Sequence, residues 1–118
     1  MKTNKSVLLS ILIISVLGLV VFLINWNRKF EAPRQNTPII EFTIRKDTTL
    51  EAVISDLAYY HFIKDEKAFK FALKRSKDMS TGRDGSLIIG RNTINREAKY
   101  MISQSMTVWE IADVLLNQ

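Results

Sequence analysis

The chain has 118 residues, of which 47% are hydrophobic, with no cysteine and a formal charge of +5. That length leaves room for one small domain beside any targeting segment, and the lack of cysteine excludes disulfides and thiolate metal sites. The charge is no nucleic-acid footprint: of 17 Lys and Arg, four (Lys2, Lys5, Arg28, Lys29) precede residue 30, leaving thirteen against twelve Asp and Glu in the remainder.

The first element is apolar. Val7 to Ile24, VLLSILIISVLGLVVFLI, runs without a charge, and at about 1.5 Å per residue it reaches roughly 27 Å, near the hydrocarbon thickness of a bilayer. A cleaved signal would have a shorter apolar region and a small-residue cleavage site, which NWNRKF lacks. A retained transmembrane anchor over residues 1–26 is therefore expected. Lys2 and Lys5 before the span, and Trp26, Arg28 and Lys29 after it, are the candidate interface anchors. Basic residues flank both ends, but a long following domain translocates largely regardless of its charge, which favours a cytoplasmic N-terminus.

Residues 27–38, NRKFEAPRQNTP, are polar, carry both prolines and read as a tether. Fully extended, a dozen residues reach about 40 Å, so whatever follows is held near the membrane surface.

Residues 39–118 form the expected folded module. Phe42-Thr43-Ile44 is a short β-type run, and Arg45 to Asp47 is a turn. In TTLEAVISDLAYY the residues Leu50, Val53, Ile54, Leu57 and Ala58 share one helix face, so a helix is expected over 48–60, with Thr48 and Glu51 as a capping box. Phe62 and Ile63 are apolar enough to bury in the connection. Asp65 should cap a second helix with Ala68, Phe69, Ala72 and Leu73 inward. Residues 76–86 read as a loop, and Leu87–Ile89 and Lys99–Ile102 as strands. A basic excess among Lys74, Arg75, Lys77, Arg83, Arg91, Arg96 and Lys99 suits an anionic polymer or headgroups, and equally a solvated face. The last helix, TVWEIADVLLNQ, turns Val108, Ile111, Ala112, Leu115 and Leu116 to one side, with Glu110 as cap partner of Thr107.

That last helix belongs to a repeat. FTIRKDTTLEAVISDL (42–57) laid over YMISQSMTVWEIADVL (100–115) matches Leu50 to Val108, Val53 to Ile111, Ile54 to Ala112 and Leu57 to Leu115 at a constant offset. Each unit reads as strand, turn, helix and is too small to bury its own apolar face, so the two should pair strands and share one core with the middle helix. The fold class is then α+β: a transmembrane helix, then β-α-α-β and a C-terminal helix.

Catalytic signatures are not apparent. There is no Gly-rich phosphate loop, G-x-S-x-G or H-E-x-x-H, and His61 is the single histidine. No metal ligand set, cofactor motif or catalytic residue is assigned. Tyr59, Tyr60, Tyr100 and Trp109 are the candidate glycan contacts, because amphipathic rings stack on sugars; the competing reading is packing at the edge of a small core.

The order of anchor (Val7–Ile24), FTIRKDTTLEAVISDL, His61-Phe62-Ile63 with Phe69, and AKYMISQSMTVWEIADVLL resembles the N-terminal, non-catalytic part of the endolytic murein transglycosylase family (MltG, YceG-like). The resemblance covers nearly all of the chain. It implies a LysM-like module preceding a catalytic domain that cuts nascent peptidoglycan, and no residue here matches that domain's glutamate. The chain thus looks like a fragment, a split gene or a reduced stand-alone module, inactive alone. Ala98 and Ser105 stand where the family has glycines, GSLIIGRNTINRE (85–97) is an insertion, and the Gly-Asp pair of an ordinary LysM repeat is missing. The role that the resemblance implies is an extracytoplasmic module on the inner (plasma) membrane that positions a transglycosylase on peptidoglycan glycan strands, in the company of a cell-wall synthesis complex. The alternative is a scaffold docking to another cell-wall protein without touching sugar.

Overall fold

The computed structural model describes residues 4–77 and 86–117. Lys2, and most of the loop expected over 76–86, lie outside them. The first helix, α1 (Lys5–Arg28), is 24 residues long and apolar enough to cross a membrane, with none of its residues buried. It starts on Asn4, whose side chain accepts the Ser6 amide, and carries Arg28 in its last turn, where a cation suits the carbonyl end of the helix dipole.

The polar segment that follows is held down. Phe30 is buried, and its carbonyl accepts the amide of Val108 at 2.9 Å. Arg34 donates its amide to Gln104, Glu31 pairs with Lys64, and the Thr37 and Ser103 hydroxyls lie 2.8 Å apart. Residues 30–38 of the expected tether (27–38) are thus fastened along the module by an apolar ring and backbone donors.

Strand β1 (Ile39–Ile44) leads into α2 (Leu50–Tyr59), α3 (Glu66–Arg75), β2 (Leu87–Ile89), β3 (Asn92–Ile94), β4 (Ala98–Ser103) and α4 (Val108–Asn117). The first and last strands pair antiparallel, with Phe42 opposite Tyr100, and β2 pairs antiparallel with β3. Phe42 and Tyr100 are also the equivalent residues of the two repeated units. An antiparallel pair in which equivalent positions face each other has a local two-fold axis between them, and this is the strand pairing that the repeat required. Val53 and Ile111, and Leu57 and Leu115, are buried at matching places on α2 and α4. Between those helices α3 fills the core with Ala68, Phe69, Ala72 and Leu73, while Ile44, Tyr100 and Ile102 close it from the sheet. The architecture is α+β.

Three local details differ from the sequence reading. The N-cap of α2 is Thr49, which accepts the Ala52 amide, not Thr48; Glu51 sits in the first turn and does not reach back to the cap. Adjacent threonines both fit a cap pattern, and the exit of the chain from β1 decides between them. The reciprocal box does form at α4, where Thr107 and Glu110 exchange bonds of 3.1 and 3.2 Å.

The second detail is β3, unforeseen in the inserted stretch 85–97. Gly90 takes a positive φ of 61° at the first position of a two-residue turn, joining LII to NTI as a tight hairpin. Its purpose is partly to cap α3: the buried Asn92 donates from Nδ2 to the carbonyls of Leu73 (2.6 Å) and Ser76 (2.8 Å), satisfying acceptors at a helix end.

The third is the end of α2. His61 has a φ of 61°, its amide bonds to Ala58, and the Phe62 amide bonds to Leu57. This is a Schellman stop with histidine where glycine is usual, and it buries Phe62 and Ile63 as expected.

Candidate functional site

Two surface features bring candidate residues together. The first is an open groove of about 640 Å³ at the turn from β1 into α2, lined by Phe42, Arg45, Asp47, Thr48, Asp56 and Tyr60 among others. Strand residues supply one wall and one side of α2, from Ala52 to the C-cap Tyr60, the other, because the turn 45–49 reverses the chain within a few residues. Phe42 is half-buried, its ring edge-on to Phe62 at 6.3 Å. Tyr60 stands at the rim, and its backbone carbonyl is held by the Gln104 side chain at 2.8 Å, so the second repeated unit braces the groove of the first.

The candidate aromatics divide between environments. Tyr59 and Tyr60 are both well exposed and meet edge to face at 5.0 Å, so one ring steadies the other beside the groove. Tyr100 is completely enclosed, with its hydroxyl donating to the Asn95 carbonyl at 2.9 Å. It offers no face to a glycan: the inward register of β4 takes it into the core. Trp109 does not line the groove and stands half open to solvent within a separate ring cluster.

That cluster is the second feature. Trp26 of α1 meets Phe30 at 5.4 Å and Phe71 at 5.8 Å, Phe30 stacks on Trp109 at 5.4 Å, and Phe71 stands edge-on to Trp109 at 6.1 Å. Lys29 lies 5.7 Å from the Trp26 ring and 3.9 Å from Asp65, while Lys5 and Arg28 mark the two ends of the apolar helix. Of the expected interface anchors, Trp26 and Lys29 therefore also join α1 to the module. Phe30 and Phe71 were not singled out from the sequence. A signal existed for Phe71, a lone outward aromatic within EKAFKFALKR.

Chemically, the groove offers hydroxyls (Thr43, Thr48, Thr49), one guanidinium and two carboxylates around a Phe and a Tyr ring. Such a lining can stack on and hydrogen-bond to a neutral or weakly charged polyol. Elsewhere four carboxylates are engaged in structure: Glu110 and Asp65 at helix caps, Glu31 with Lys64, and Glu41 with Lys99 at 3.6 Å. Among the described residues no three His, Asp or Glu gather in a way that could hold a metal ion. Comparison with known proteins found no family model, no curated protein and no solved structure that matches this chain.

Proposed function

We propose that the chain is a membrane-anchored, extracytoplasmic LysM-like module that places a peptidoglycan lytic transglycosylase, or itself, on cell-wall glycan. The observation that carries this reading is the groove at the β1–α2 turn, with Tyr60 at its rim and three threonine hydroxyls in its lining. It sits on an α+β core attached through a docked linker to one apolar helix. A ring and several hydroxyls in a shallow open trough suit a sugar chain better than a compact apolar ligand. Anchoring through α1, with the module outside, would keep that groove within reach of the wall.

The test is co-sedimentation of the full chain, in detergent, with insoluble peptidoglycan. Binding should drop several-fold in Tyr60→Ala and persist in Tyr100→Phe, whose altered group is enclosed. Failure of the unaltered chain to co-sediment would overturn glycan binding. It would favour the second reading, a scaffold module, for which the exposed Ile39 and Met101 on the outer side of the β1–β4 pair supply an apolar contact surface.

A further inference from the structure

We infer that the face carrying Phe71, Trp109, Lys67, Lys74 and Arg75 is a docking surface for anionic phospholipid headgroups, seating the module flat on the bilayer that α1 enters. The inference rests on the reading of α1 as a membrane anchor and adds an orientation to it.

Trp26 lies in the last turns of α1, and an indole there sits at headgroup level when the preceding helix is in hydrocarbon. The headgroup layer on each side is roughly 5–8 Å deep, from the difference between the full bilayer and its hydrocarbon core. Phe71 touches the Trp26 ring at a centroid distance of 5.8 Å. Trp109 is one further ring contact away, through Phe30 at 5.4 Å or Phe71 at 6.1 Å. Fixing Trp26 in the interface therefore brings both exposed rings to its edge, and the docked segment after α1 prevents the module from swinging clear.

The two rings are left open where a soluble domain would turn polar groups outward: Phe71 is 36% and Trp109 41% exposed. Basic side chains flank Phe71. On α3 the neighbours of Phe71 four residues before, three after and four after are Lys67, Lys74 and Arg75, all on the adjoining helix surface. The Arg75 guanidinium lies 5.4 Å from the Phe71 ring. Among the described residues none of these three cations pairs with a carboxylate. The acids nearby are partly engaged: Asp65 faces Lys29, and Asp113, one turn beyond Trp109, accepts from Asn117 at 2.8 Å. Two exposed rings with cations on the α3 side, continuous with the exit of an apolar helix, match the chemistry of an anionic lipid–water interface.

Tryptophan quenching by lipids brominated at shallow acyl positions tests this on the full chain reconstituted in vesicles. In a Trp26→Phe chain Trp109 is the sole reporter, and in a Trp109→Phe chain Trp26 is. The Trp109 signal should be quenched about twofold more in phosphatidylcholine–phosphatidylglycerol vesicles than in phosphatidylcholine alone, since each basic residue near an anionic surface favours contact roughly fivefold. Reversal of the three exposed charges (Lys67→Glu, Lys74→Glu, Arg75→Glu) should abolish that gain while circular dichroism stays unchanged. Quenching of Trp26 without Trp109 overturns the docking and leaves the anchor standing. Loss of quenching at both overturns the anchor and the docking together. Equal Trp109 quenching in both lipids, unmoved by charge reversal, overturns the anionic recognition.

Discussion

Phe30 lies flat on Trp109, ring centroids 5.4 Å apart and planes 12° from parallel, and so ties the segment after α1 to the final helix. Phe30 is buried and also meets Trp26 and Phe71. Phe30→Ala should lower the stability of the module by about 3 kcal/mol, the usual loss for a deleted core ring. Urea unfolding of the full chain in detergent, followed by near-UV circular dichroism, reads this directly. A loss under about 1 kcal/mol would mean that the segment contributes little to the core.

Asn92 holds the end of α3 by donating to two carbonyls at once. Asn92→Leu removes the donors and should cost about 1–3 kcal/mol through acceptors left unsatisfied. Asn92→Asp should cost more, since a carboxylate would face the same two oxygens with no proton to give. Denaturation midpoints for the pair decide it, and an aspartate variant as stable as the parent would contradict the assigned bond.

The neighbouring threonines before α2 make a sharper comparison. Thr49→Ala removes the side chain that accepts the Ala52 amide and should cost about 1 kcal/mol. Thr48→Ala should stay within about 0.5 kcal/mol, because Thr48 contributes its backbone carbonyl, which accepts Arg96 Nε at 2.9 Å and survives the substitution. The reverse ranking in thermal unfolding would restore Thr48 as the cap.

His61 occupies a left-handed backbone position where a Cβ is unfavourable. His61→Gly should stabilise the chain by about 0.5–1 kcal/mol, the relief at φ > 0 exceeding the added freedom of glycine in the unfolded state. His61→Val should destabilise it, because a β-branched side chain tolerates that region worst. Thermal melts of the two variants should move in opposite directions, and a glycine variant that melts earlier would refute the account.

Much of the helical framework was legible because burial and periodicity coincide: Val53, Ile54 and Leu57, then Ala68, Phe69, Ala72 and Leu73, point inward as their spacing requires. The pairing of the first and last strands followed from the repeat, with Phe42 and Tyr100 meeting as equivalents. What stayed hidden depends on partners distant in the chain. Tyr100 looks like any other surface tyrosine until β4 acquires its register, and Asn92 looks like loop composition until the end of α3 stands over it. The docking of Phe30 needed α4 and Phe71 in place before a polar, proline-bearing segment could be seen to bury a ring. Of the residues that line the groove, Tyr60 stands out in the sequence as an exposed aromatic, whereas Phe42, Arg45, Asp47 and Asp56 carry no distinguishing pattern of their own.

Closing the main sheet with its first and last strands also sets a timetable for biogenesis. About fifty residues separate Ile44 from its partner Ala98, and at ~5–20 residues per second a ribosome takes roughly 3–10 s to make them. Throughout that interval β1 waits as a lone hydrogen-bonding edge, its Ile39 and Ile40 uncovered, while the apolar helix ahead has already emerged. The newborn chain is thus most exposed to chaperones and proteases after its helix is available and before β4 arrives to complete the pair.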